Sequence, residues 1–211
     1  MLAEIIYAED WEIDPRLQFF GATRSELVKV AMAVMAARAD KTDNDPGGAE
    51  GQLAYIYGTR NTCALFRTKG WTLHRQENIQ SVCHPTKDLR VVYQSVDLAA
   101  RRIHRPQAIS GKGSGSDRFI DVAQGDLFTE EQLSAPNLVK LGKIDSGLWY
   151  FCVSVNGDEV CAELSLPTCI KEKNFQGFIE RIFIIRPGKW SKLASKPKDD
   201  TAEFEPVVTR K

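Results

Sequence analysis

The sequence predicts an α+β protein in which a buried N-terminal helix pair packs on antiparallel strands, followed by a β-rich antiparallel C-terminal half. Three observations carry this expectation. Two helical stretches with start signals lie between Thr23 and Gly70, the apolar spacing changes to alternation from Trp71 onward, and short turns join the alternating runs with no repeating βαβ unit.

The first helix is read from "TRSELVKVAMAVMAAR" (23–38). Thr23 is a good N-cap, and Glu26 three residues later completes a capping box. Only Lys29 is polar between positions 27 and 37, so apolar side chains cover nearly every face and a central, enclosed helix is expected. The second helix is expected to start at Asp45-Pro46, an N-cap and first-turn pair. It runs through "GQLAYIYGTRNTCALF" with Leu53, Ile56, Tyr57, Cys63 and Ala64 inward, and stops near Gly70. Gly51 and Gly58 each cost about 0.5–1 kcal/mol relative to alanine. They imply either a close helix–helix approach or a different boundary.

Strands follow at "WTLH", "IQSVCH" and "LRVVYQSV", with "PTKD" joining the last two. Beyond the mid-chain come "RFIDVA", a helical turn at "TEEQL" capped by Thr129, and "NLVKLGKI". In "LWYFCVSVNGDEVCAELSL", Asn156-Gly157 is a strong hairpin signal, because a type I′ turn needs positive φ at both central residues. That turn sets Val155 opposite Asp158, Ser154 opposite Glu159, Val153 opposite Val160 and Cys152 opposite Cys161. Trp149, Phe151, Val153, Val155, Val160, Ala162, Leu164 and Leu166 then share the core face. Tyr150, Cys152, Ser154, Glu159, Cys161, Glu163 and Ser165 take the other. "GFIERIFIIRP" adds a strand ended by Pro187.

The chain thus divides into 1–100, a basic Gly/Ser-rich loop at 101–118, and a β-rich half at 119–190 that either joins 1–100 in one domain or stands apart. A charged tail follows at 191–211, disordered by composition and anchored by "FEPVV" (204–208).

Charge excludes a global attraction to nucleic acid or membrane, since 28 Lys+Arg balance 28 Asp+Glu. The acidic start "MLAEIIYAEDWEID" lacks the pattern of a signal peptide. The run at 27–37 is shorter than the roughly 20 residues that span a bilayer, so a cytoplasmic protein with no membrane partner is expected. Cys63, Cys83, Cys152, Cys161 and Cys169 are odd in number and scattered, as suits reduced thiols.

One segment concentrates positive charge, "RRIHRPQAISGKGSGSDR" (101–118). It is not a Walker loop, because Gly113 rather than Ser or Thr follows Lys112, and a strand rather than a helix is expected after Arg118. Two readings stay open. Arg101, Arg102, His104, Arg105, Lys112 and Arg118 bind phosphate groups of a nucleic acid or nucleotide, or the segment is a flexible connector.

The polar hairpin face offers a second place for chemistry: Tyr150, Cys152, Glu159, Cys161 and Glu163. In the expected register Cys152 and Cys161 touch, so they are either a cross-strand redox pair or two packed thiols. Glu159 and Glu163 lie roughly 13 Å apart at about 3.3 Å per residue, too far for a glycosidase pair, which needs at most about 9.5 Å. Cys83 and His84 point to opposite faces of a strand and cannot share an ion. Neither a metal site nor a cofactor is expected, and no catalytic residue is assigned.

The leading functional expectation is a non-enzymatic binding or regulatory protein that contacts a protein or a phosphate-bearing partner through the basic loop. The alternatives are an enzyme with its site on the polar hairpin face, and a structural subunit of a larger assembly.

Overall fold

In the computed structural model, which describes residues 4–76, 79–109, 147–171 and 174–194, a short strand β1 (Ile5–Tyr7) leads into α1 (Asp10–Leu17) and a 3-10 turn (Gln18–Phe20). Thr23 and Glu26 then form the expected capping box, each satisfying the other's backbone N–H, and open α2 (Arg24–Ala39). Next come α3 (Ala49–Thr68), β2 (Thr72–Gln76), β3 (Ile79–Cys83) and β4 (Leu89–Ser95). The last part holds β5 (Gly147–Asn156), β6 (Glu159–Pro167), β7 (Ile170–Lys171), β8 (Asn174–Phe175), β9 (Phe178–Ile185) and α4 (Trp190–Ala194). The expected elements at 118–123, 129–133 and 137–144, and the tail beyond Ala194, lie outside the described residues.

The class is α+β. A seven-stranded sheet in the order β1-β9-β6-β5-β4-β3-β2 runs across residues from both sides of 101–118, with a separate β7-β8 pair. The sheet is mixed rather than antiparallel throughout, because β4 pairs with β5, and β1 with β9, in parallel. Parallel neighbours need a long crossover, and residues 96–146 between β4 and β5 supply one.

One sheet face carries Val91, Tyr93, Trp149, Phe151, Val160, Leu164 and Ile182 against α1, α2 and α3. The Phe20 ring meets the Trp149 ring edge-on at 4.8 Å. The opposite face buries Val92, Leu148, Tyr150, Cys152, Cys161 and Phe183 in a second cluster.

Three expectations are corrected. The helix α2 is not enclosed: Leu27, Val30, Ala31 and Val34 face the core, while Met32 is 38% exposed and Ala36 is exposed. Alanine has little apolar surface to hide, so an alanine-rich helix can lie on a sheet with its outer side wet.

The second correction concerns α3. Its N-cap is Gly48 at φ +82, not Asp45, whose carboxylate instead accepts from the Thr42 amide and hydroxyl at 2.7 and 3.0 Å. Ala54, Gly58, Thr62 and Phe66 form its buried stripe, whereas Ile56 and Ala64 point outward and Leu53 and Tyr57 are half-buried. The cause is Tyr93 on β4. A Cβ placed on Gly58 would come within 2.1–2.4 Å of three atoms of the Tyr93 ring, so the close approach that glycine permits is of helix to sheet.

The third concerns the hairpin. Asn156 pairs with Glu159, Ser154 with Cys161 and Cys152 with Glu163. The turn residues are therefore Gly157 and Asp158, with Gly157 at φ +57 and Asp158 outside the positive-φ region, the glycine-first pattern of a type II′ turn. The register has moved by two residues, so each side chain keeps its expected face. Cys152 and Cys161 are diagonal instead of opposed, and both are free thiols.

Gly58→Ala is expected to destabilise the fold by about 1–3 kcal/mol through overpacking. In a urea-denaturation double-mutant cycle with Tyr93→Leu, the two changes together should cost less than the sum of each alone.

Candidate functional site

The polar face of the β5–β6 hairpin is covered. After β4 the chain makes an excursion from 96 to 109 that closes on itself: Val96 bridges Ala108, the Asp97 amide donates to the Gln107 carbonyl at 2.9 Å, and the Ile109 amide to the Ser95 carbonyl at 3.2 Å. Inside it the Asp97 carboxylate accepts from the Leu98 and Gln107 amides at 2.6 and 2.8 Å. Val96, Ala99 and Ala100 then press onto Tyr150, Cys152 and Cys161.

At the centre of this covered face is a buried ion pair. Arg181 on β9 and Glu163 on β6 are both 0% exposed, with Nε donating to Oε1 at 2.9 Å and Nη2 to Oε2 at 2.6 Å. Glu163 also accepts from the Ser165 hydroxyl at 2.7 Å and from the Ala100 amide at 2.5 Å. With four donors on two oxygens, the carboxylate has no free position from which to take a proton from a substrate. Burial pulls Arg181 toward its neutral form, but the Glu163 hydrogen bonds and the charges of Glu163 and Glu4 outweigh it and hold the guanidinium above the ordinary arginine value.

The remaining Arg181 nitrogen, Nη1, donates to the Arg101 and His104 carbonyls at 3.2 and 3.1 Å and to Glu4 at 3.3 Å. A sheet residue therefore holds the backbone of the basic segment. Ala100, next to these tethers, sits at φ +54, a left-handed conformation that costs an L-residue about 1–2 kcal/mol. Its amide bond to Glu163 offsets that strain.

The segment's described basic side chains each face an acid. Arg101 lies 3.6 Å from Glu159, Arg102 3.9 Å from Glu9, Arg105 3.8 Å from Glu4, and His104 Nε2 2.9 Å from Asp97. Such surface pairs are worth at most about 1 kcal/mol each, yet they interleave both signs where a phosphate cradle needs one. Lys112 and Arg118 lie outside the described residues. Of the other polar-face residues, Tyr150, Cys152 and Cys161 are buried, and only Glu159, at the hairpin end, is half-exposed.

A different surface is open. A cleft of about 520 Å³ lies between α3 and the β2–β3 edge. Because the small residues of α3 face the sheet, Tyr55, Ile56, Arg60 and Arg67 project from its other side, with Cys63 at the floor. Leu73 and Arg75, two apart on β2, share one strand face and close the second wall with Gln80. Tyr55, Ile56 and Leu73 are 42, 47 and 48% exposed. The Arg60 guanidinium lies 4.7 Å above the Tyr57 ring, and Arg75 donates to Gln80 at 2.9 Å. Among the described residues no acid pairs with Arg60, Arg67 or Arg75, and none lines the cleft.

The sequence reading missed this site. Ile56, Arg60, Cys63 and Arg67 lie on one helical stripe by their spacing. Expecting Ile56 in the core hid the cations beside it, whereas Cys63 is buried as expected. The cleft offers fixed positive charge beside apolar surface. Its one thiol, Cys63, is pushed up by burial, which disfavours the nucleophilic thiolate. Among the described residues no group of three His, Cys, Asp or Glu could hold a metal ion, and no helix is long and apolar enough to cross a membrane. In comparisons with known proteins, no family model matches the chain, and no curated protein or solved structure matches it either.

Two outcomes follow from the covered face. Arg181→Met should cost about 3–5 kcal/mol in urea denaturation, because Glu163 is left buried and uncompensated, and Arg181→Met with Glu163→Leu should recover much of that. Stability should also fall as pH rises from about 8 toward about 11. Burial first, then the Glu159 charge, pushes the Cys161 thiol from 9.0 up to about 11, and burial pushes the Tyr93 phenol from 10.0 up to about 12. Both groups are neutral in either state below about pH 8. As pH rises through the ordinary thiol value of 9.0 the unfolded chain loses protons first, which favours unfolding. A denaturation midpoint flat up to about pH 8 and falling from there toward about pH 11, with a shallower fall in Cys161→Ala, is the expected record.

Proposed function

We propose that this protein is a non-enzymatic binding protein that engages an acidic, partly apolar protein segment in the cleft between α3 and the β2–β3 edge. The observation that carries this reading is the conjunction of the exposed Tyr55, Ile56 and Leu73 with Arg60, Arg67 and Arg75, which have no acid partners among the described residues. Guanidinium groups bind carboxylates in a bidentate fork, and apolar walls take the side chains between them. Among the described residues the strand order ends at β2, so its outer edge offers backbone N–H and C=O groups to an added strand, the usual route by which an extended peptide gains affinity.

The cleft replaces the 101–118 segment as the place of contact, since Arg101, Arg102, His104 and Arg105 already face acids. An enzyme on the hairpin face has less support, because Glu163 is saturated with donors and solvent does not reach it.

Fluorescence anisotropy with a labelled peptide that alternates Glu and Phe tests the proposal. Arg60→Gln with Arg67→Gln should weaken binding at least tenfold, in line with about 1.5–3 kcal/mol for a hydrogen bond to a charged group. Arg101→Ala, Arg102→Ala and Arg105→Ala together should leave it unchanged. Loss of binding in this triple variant alone, or tight binding of a random oligonucleotide abolished by it with a steep salt slope, would overturn the cleft reading in favour of the loop.

A further inference from the structure

We infer that the partner enters this cleft as an extended strand along the outer edge of β2, and that the cleft selects the pattern acid, any residue, apolar, any residue, acid. This rests on the cleft reading above and names the conformation and spacing of its partner. Backbone direction, arginine spacing and preorganisation carry it.

The His84 amide donates to the Leu89 carbonyl at 2.9 Å, and along an antiparallel strand only every second residue bonds to a given neighbour. Val82, opposite Val91, therefore bonds toward β4 as His84 does, while Ser81 and Cys83 turn their N–H and C=O groups toward β2. Their partners there are His74 and Thr72. Leu73 and Arg75 are left with N–H and C=O groups aimed away from β3, and among the described residues no strand lies on that side. The same two residues line the cleft with their side chains. A chain that bonds to this edge thus lays alternate side chains beside Leu73 and Arg75.

Three residues join α3 to β2, so Arg67 stands at the end of the cleft where β2 begins. Arg60, seven positions earlier on the same side of the helix, lies about 10 Å further along at about 1.5 Å per residue. In an extended partner, residues on one face recur at about 7 Å and then about 13 Å. Acids two positions apart leave no place between them for an apolar group, and acids three apart point to opposite faces. Acids four apart bracket the arginine pair to within about 3 Å, which these long side chains absorb. The residue midway then falls over Cys63 and Ala64 on α3 and Leu73 on β2. Arg75 is already oriented: it donates to Gln80, directly opposite on β3, at 2.9 Å, and an arginine has five N–H donors, so others remain for a carboxylate. A helical partner would need its acids seven apart to match the same arginines, and would leave the outward groups of Leu73 and Arg75 to water.

The test measures anisotropy of three labelled, end-blocked peptides on the full-length chain: Ser-Glu-Ser-Phe-Ser-Glu-Ser, the same composition with the two acids adjacent, and an alanine-rich helical peptide with its acids seven apart and Phe between them. The first should bind at least tenfold more tightly than either of the others, and Arg60→Gln with Arg67→Gln should remove that preference. Two N-methylated forms of the first peptide separate strand addition from side-chain contact alone. Methylating one alternate set of amides should abolish binding and methylating the other should leave it, because only every second amide faces β2. Equal binding of the adjacent-acid peptide overturns the spacing. Tighter binding of the helical peptide, or an equal effect of the two methylated sets, overturns the strand. In each of these cases arginine-dependent binding leaves the cleft reading standing. If no peptide, the alternating Glu/Phe probe included, binds in an arginine-dependent way, the cleft reading falls as well.

Discussion

The structure depends on one buried charge pair. Arg181 and Glu163 sit on adjacent strands in a place with no solvent, and a lone charge there is far more costly than an apolar residue. Each must therefore be matched in full, and the groups that match them come from distant parts of the chain: Ala100 and the carbonyls of Arg101 and His104 from the excursion after β4, Ser165 from β6, and Glu4 ahead of β1. The aromatic rings of Phe178 and Phe183 lie 5.4 and 5.0 Å from the guanidinium and keep water from it. A second buried pair, Arg16 with Glu180 at 2.5 Å, fastens α1 to the neighbouring position of β9. Consecutive residues of a strand point to opposite faces, so Glu180 and Arg181 anchor one cover on each side of the sheet.

The close approach of α3 to Tyr93 has a comparable reach. It turns the small side of the helix inward, and larger residues that composition alone would bury are left outside. The open cleft with its arginines is the reverse side of that packing choice.

How much of this was legible in the sequence depends on the range of the interaction. The α2 start was legible because a capping box is complete within four residues. The faces of the hairpin were legible because alternation is local and survives an even register shift. The register itself was not, since Asn156-Gly157 and Gly157-Asp158 are both acceptable two-residue turns and local sequence does not choose between them. The stripe of α3 was misread because glycine and alanine carry no sign of the ring they meet. β1 and α1 were passed over because Pro15 and the acids of "YAEDWEID" mask a short helix whose buried Arg16 meets its partner Glu180, 164 residues away, only through the fold. In the candidate site, Arg101, Arg102, His104 and Arg105 were visible as a charge cluster. Their acid partners, Glu4, Glu9, Asp97 and Glu159, become neighbours only through the fold.

The excursion from 96 to 109 leaves the sheet and returns to it at nearly one point, since Ile109 is bonded to Ser95. Cutting it out would leave the route from β4 onward almost unaltered, as a side loop can be removed from a road without changing its destinations. The segment adds nothing to the strand order. What it contributes is cover: small apolar side chains laid over the sheet face, and a backbone amide and two backbone carbonyls for the charges buried beneath them.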